Sequence, residues 1–236
     1  MSTEISEFPY VRPEQRVSAH FAKNWTFNFP YRSAGMFNYG SKVYGNKKPS
    51  DIDVIAVFVG NVDYCEQHKV EDINNIGTFI DVTLYSEKTF LEKVNEHEIS
   101  ILECVFAKKK NILVPISLYL ERQLKHFVID KSTLRRAISK KASNSYVKAK
   151  KKLLVEADYD LECSLKSLWH SIRILDFGSQ LAESSTIDEF DSVNWIFKDI
   201  LDTYISTECN WEEIHKKYKP IYNEFASTFR ETCPKE

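Results

Sequence analysis

Residues 39–58, "YGSKVYGNKKPSDIDVIAVF", place two glycines, a serine and two alternating aspartates ahead of an apolar run from Val54 to Val59. The chain has six glycines, and three of them, Gly35, Gly40 and Gly45, fall close together here. Glycine tolerates positive φ and lets a ligand approach the main chain, so backbone freedom is concentrated just where acidic side chains follow. Read as a strand, "DIDVIAVFVG" puts Asp51, Asp53, Ile55 and Val57 on one face and Ile52, Val54, Ala56 and Phe58 on the other. Beyond Asp53 both faces are apolar. That pattern predicts a central strand covered on both sides, with carboxylates only at its entry.

Outward from this strand, "AGMF" reads as a short strand leading into the glycine loop and "TFIDVTLYS" as a third strand. Asp81 sits midway along the latter, between Ile80 and Val82, where a β-branched residue is expected. From Ser86 to Ala107 the periodicity turns helical, with Phe90, Leu91, Val94, Ile101, Leu102 and Val105 as core positions, and Pro115 marks a break. Helices are expected at about 132–156, 159–183, 188–206 and 211–231, with Ser132 capping the first and Asp188 in the opening turn of the third. The expected organisation is an α/β part over residues 1–130 and a helical part over residues 131–236.

Bulk properties narrow the classes. A chain of 236 residues with 43% hydrophobic and 28% charged residues has the composition of a globular protein with an ample core. No apolar run approaches the length of a membrane span, and the start "MSTEISEFPYVRPEQ" has neither a basic n-region nor an apolar h-region; the expectation is a cytoplasmic protein with no membrane partner. Five scattered cysteines without C-x-x-C spacing point to buried free thiols rather than disulfides or zinc. The net charge of −2 hides an asymmetry, because Lys131 to Val155 contains nine Lys/Arg and no acid.

Two carboxylates two residues apart on a strand project side by side and repel, so a strand entrance built this way calls for a cation. Hard oxygen ligands suit Mg²⁺, which keeps its other positions for water and substrate phosphate. "YGSKVYG" adds backbone N–H groups and the Ser41 hydroxyl as phosphate donors. "GSKVYGNK" nearly mimics a P-loop, but Asn46 follows Gly45 and a strand rather than a helix comes next, which argues against that reading.

"GS", a short loop, "SDIDV" and a later "FIDV" together resemble the signature of the DNA polymerase β-like nucleotidyltransferase superfamily. More loosely, "FIDVTLYSEKTFLEKV", "ILECVFA" and "KSLWHSIRILDFGSQLAE" resemble the nucleotidyltransferase group associated with RNA ligases. The resemblance implies an α/β (α+β) fold, a polymerase β-like mixed sheet flanked by helices and followed by an all-helical C-terminal part. It implies that Gly40 and Ser41 face the phosphates of an NTP, and that Asp51, Asp53 and Asp81 bind two divalent ions, Mg²⁺ or Mn²⁺. The implied reaction is attack of an acceptor hydroxyl on the α-phosphate with release of pyrophosphate, Asp81 helping to deprotonate the acceptor.

Two basic features remain open on the residues alone. In "KSTLRRAISKKASNSYVKAKKK", Arg136, Lys140 and Lys141 lie on adjoining turns, either a solvated helix face or a surface for the phosphates of a nucleic acid. Lys166, His170 and Arg173 share one helical stripe, either a polar face on a packed helix or a cationic wall over nucleotide or acceptor phosphates. The expected function is a metal-dependent nucleotidyltransferase acting on RNA or another polynucleotide. The alternative is a catalytically silent protein of the same fold that binds nucleic acid or protein.

Overall fold

The computed structural model describes residues 18–21, 25–28, 32–40, 43–44, 52–71, 79–207 and 210–234. Seven strands and seven α-helices are found among them. Strands β1 (Ser18–Phe21) and β2 (Trp25–Asn28) form an antiparallel ribbon. Strands β3 (Ser33–Tyr39), β4 (Ile52–Phe58), β5 (Cys65–Glu71), β6 (Phe79–Ser86) and β7 (Ile112–Val114) form a sheet of order β5-β6-β4-β3-β7. β4 and β6 run parallel and the other neighbours antiparallel, so the sheet is mixed.

The central strand is covered on both faces, as its sequence requires. Met36, Val54, Ala56, Phe58, Ile80, Val82 and Leu84 form one buried apolar layer. On the opposite face Phe37, Ile55 and Val57 are buried, and Phe37 stacks on Phe90 of helix α1 (Glu87–Asn95) with ring centroids 6.2 Å apart. β5 is not legible in the sequence. Its residues "CEQHKVE" are polar and exposed along nearly the whole strand, as befits a charged sheet edge, and offer no alternation to read. β7 is three residues long, too short for a pattern.

The helical pattern predicted over 86–107 is two helices, α1 and α2 (Ile99–Val105). His97 breaks it, with φ +56°. Its buried ring holds the corner: Nδ1 lies 2.9 Å from the Asn95 carbonyl oxygen, and Nε2 lies 2.9 Å from the Asp130 N–H. Nε2 therefore accepts and Nδ1–H donates, which fixes a neutral tautomer. After the short α3 (Leu118–Leu124) come α4 (Lys131–Leu154), α5 (Leu161–Ser184), α6 (Asn194–Ser206) and α7 (Trp211–Thr232). Asp130 rather than Ser132 caps α4, its Oδ1 accepting from Thr133 N–H at 2.7 Å. The third predicted helix starts at Asn194 instead of 188, because Gln180 Oε1 accepts the N–H groups of both Asp188 and Glu189 at 3.0 Å and ties that stretch into a loop.

The chain divides into two compact units. One takes in residues 1–43, 47–92 and 107–126 and contains the sheet; the other takes in 44–46, 93–106 and 127–236 and is helical. In the helical unit α4 and α5 pack in opposite directions, since Ser164 Oγ donates to the Ala149 carbonyl at 2.7 Å while Gly178 faces Ile138. A Cβ at Gly178 would lie 2.7 Å from Ile138 Cγ2 and 3.0 Å from Phe229 Cε2, so the absent side chain lets α4, α5 and α7 meet. Cys104 and Cys233 are buried free thiols and Cys163 is half-buried, but Cys65 is exposed on the β5 edge, against expectation; Cys209 lies outside the described residues. No helix among the described residues is long and apolar enough to cross a membrane.

Candidate active site

Register brings the acidic residues together. Asp53 on β4 pairs with Asp81 on β6 in the parallel ladder, and Tyr39 on β3 pairs with Asp53 in the antiparallel one. Paired residues share a face, and neighbouring strands lie about 4.8 Å apart, so the two carboxylates emerge side by side from the entry of the central strands. Asp53 is half-buried and Asp81 exposed, whereas the same face further along the sheet is sealed by Phe37, Ile55 and Val57. The carboxylates open into a cleft of about 510 Å³ whose walls include Tyr39, Gln67, Lys69 and Thr83.

Gly40 completes this corner. Its φ of +74° is a left-handed conformation, and its carbonyl accepts from Val43 N–H at 2.9 Å, turning the chain directly after β3. A Cβ at this position would lie 2.9 Å from Asp53 Cγ and closer still to Oδ2. Glycine is required twice here, for the dihedral and for the room that the Asp53 carboxylate occupies. Ser41 and Asp51 lie outside the described residues.

The donor set fits a hard divalent cation: two carboxylates from adjacent parallel strands, with the backbone brought close to one of them by the missing Cβ of Gly40. Among the described residues no group of three or more His, Cys, Asp or Glu side chains is placed to hold a metal ion. Asp53 and Asp81 would therefore bind as a pair, with Asp51 the sequence's candidate third ligand.

The stripe of Lys166, His170 and Arg173 belongs to the helical unit and is not one exposed wall. Lys166 pairs with Glu162 at 2.5 Å, and His170 is half-buried. Arg173 is only 2% exposed. Its guanidinium carbon stands 3.2 Å from the centroid of the Tyr44 ring, and Nη2 is 3.7 Å from Glu103 Oε1. The Tyr44 hydroxyl donates to Glu103 Oε2, and Asn194 Nδ2 donates to the Tyr44 carbonyl. Burial pushes the Glu103 carboxyl above its usual range, with Arg173 and the Tyr44 bond opposing it. Burial, then the neighbouring Arg173, holds the His170 imidazole well below its usual value. No motif in the sequence marks Tyr44. Glu103 does carry a signal, an acid between the apolar Leu102 and Cys104 in a short, mostly buried helix.

Arg136, Lys140 and Lys141 do come together in the helical unit, along a cleft of about 460 Å³ beside the His97 corner. The cleft is not purely basic. Glu96 and Glu98 form part of its wall, and Lys141 Nζ lies 4.0 Å from Glu98 Oε1.

No family model matches the sequence, and no curated protein matches it. Among solved structures the chain is similar to a nucleotidyltransferase-like protein from Exiguobacterium sibiricum 255-15, at 10% identity and a TM-score of 0.32, over 85% of this chain and 69% of that one. A likeness this distant carries no argument about fold or function.

Proposed function

We propose that the protein is a metal-dependent nucleotidyltransferase that moves a nucleoside monophosphate from an NTP to an acceptor hydroxyl with release of pyrophosphate. The supporting observation is the in-register pair of Asp53 and Asp81 beside the left-handed Gly40 turn. A divalent cation held by these carboxylates would neutralise charge on the phosphate oxygens and favour the attacking oxyanion. The protein's own part is positioning: Gly40 leaves room for the Asp53 carboxylate, and Ser41 adds a hydroxyl donor in the sequence directly after it. On this reading Asp81, the more exposed of the two acids, takes the acceptor proton.

The acceptor on this reading is RNA or another polynucleotide, with Arg136, Lys140 and Lys141 neutralising its phosphates. The test is to incubate the protein with each of the four NTPs and Mg²⁺, with and without RNA, and to measure pyrophosphate. RNA-dependent release supports the reading. Release without RNA assigns the accepting hydroxyl to the protein itself, the NTP or water, and no release with any NTP favours the silent binding protein. Replacing Arg136, Lys140 and Lys141 by Gln should reduce the salt slope of RNA binding by roughly one unit for each phosphate that is no longer neutralised.

A further inference from the structure

Resting on that reading of the carboxylate pair, we infer that Lys69 is a substrate-phosphate ligand of the same cleft. No sequence pattern marks it, because β5 itself is not readable. The sheet nevertheless pairs Lys69 with Asp81 in the β5–β6 ladder, just as it pairs Asp81 with Asp53 in the β6–β4 ladder. Three neighbouring strands thus carry, on one face and in one row, a lysine, an aspartate and an aspartate. All three line the cleft.

The row carries one positive and two negative charges, so a divalent cation on the carboxylates would leave it net positive and suited to a phosphate. Like charges side by side are unfavourable, and a cation next in the row offsets them. Among the described residues Lys69 forms no ion pair with a carboxylate, however. Its partner among the described residues is the Phe79 ring, with Nζ 5.4 Å from the centroid. An exposed cation–π contact of this kind is weaker than a charge-assisted hydrogen bond to phosphate. Phe79 is itself 47% exposed, so the ammonium is parked at the cleft rim and not buried in a structural role. Lys88, in the same unit, makes the contrast: its ammonium is held by Asp63 at 2.6 Å. A lysine on a flexible stem, beside a carboxylate pair suited to a metal, supplies the charge that a metal-bound phosphate still lacks.

The shared chemistry is a phosphate oxygen, and it has two possible sources: the polyphosphate of the NTP, or a phosphate of the acceptor. Binding of each Mg²⁺–NTP is measured by calorimetry for the wild type, Lys69→Met and Lys69→Arg, alongside turnover against RNA concentration and thermal denaturation. The expected result is that Lys69→Met keeps the wild-type melting temperature and weakens Mg²⁺–NTP binding by about tenfold, while Lys69→Arg stays within about threefold of wild type. Unchanged NTP binding with a comparable rise in KM for RNA assigns the acceptor's phosphate instead, and still supports the inference. The inference is overturned if Lys69→Met changes neither quantity, if Lys69→Arg fails as badly as Lys69→Met, or if the wild type binds no Mg²⁺–NTP. A wild type that binds NTP but transfers none refutes the enzymatic reading alone, and the binding comparison then decides Lys69 by itself.

Discussion

Gly40 and Asp53 exclude any side chain at residue 40: the place a Cβ would take lies 2.9 Å from Asp53 Cγ, and the backbone there has φ +74°. Gly40→Ala should therefore act in two ways. The left-handed dihedral costs an L-residue about 1–2 kcal/mol, which lowers stability modestly. The added methyl also displaces the Asp53 carboxylate, so nucleotidyl transfer should fall much further than stability does. Gly40→Val should be worse in both respects. Comparing denaturant midpoints with turnover checks this, and a loss of activity no larger than the loss of folded protein would contradict it.

Arg173 predicts the opposite balance. Its guanidinium is buried against Tyr44 and Glu103, and Nε, Nη1 and Glu103 Oε1 have no hydrogen-bond partner among the described residues. Removing one member of a buried ion pair leaves the other uncompensated, typically at about 3–5 kcal/mol. Arg173→Met should thus be strongly destabilising, and Arg173→Met with Glu103→Leu should recover much of the loss. Urea denaturation of the two variants measures it. A nucleotide contact would instead give weakened NTP binding at unchanged stability.

Acid should destabilise the helical unit through His170. Its folded-state imidazole resists protonation, while the unfolded chain protonates near the ordinary value of 6.5. The unfolded state therefore binds more protons as pH falls below that value, so the contribution of His170 is complete above 6.5 and is lost progressively below it. Melting temperatures recorded from about pH 7.5 to about pH 5.5 should decline more steeply for the wild type than for His170→Gln, which cannot take up the proton. Parallel curves would show that His170 does not contribute.

The legibility of the molecule follows from which interactions are local. β4 is readable because both its faces are buried and its apolar run is continuous, and β6 because β-branched and aromatic residues flank Asp81. α4, α5 and α7 are readable from their long periodicity, although the Asp130 cap sits before the expected Ser132. What the sequence hides depends on partners distant along the chain. β5 is exposed along nearly its whole length and shows no alternation, and its strand form comes from pairing with β6. The break at His97 depends on an acceptor role toward Asp130, 33 residues away. Arg173 lies on the stripe that its spacing suggests, but its partners Tyr44 and Glu103 lie far away in sequence, and no helical periodicity could show that they bury it. For the site, Asp53, Asp81 and Gly40 are readable by motif. Lys69 needs the register.

Whether the Asp53 and Asp81 carboxylates together support nucleotide transfer is measured with α-³²P-labelled NTPs. The wild type, Asp53→Asn and Asp81→Asn are each incubated with the four labelled NTPs, Mg²⁺ and RNA, after their folds have been matched by circular dichroism and melting temperature. The wild type should label the acceptor, and either folded variant should lose about a hundredfold or more, because a neutral amide is a poor ligand for a hard cation. Label transfer by Asp53→Asn or Asp81→Asn at close to the wild-type rate would contradict that role.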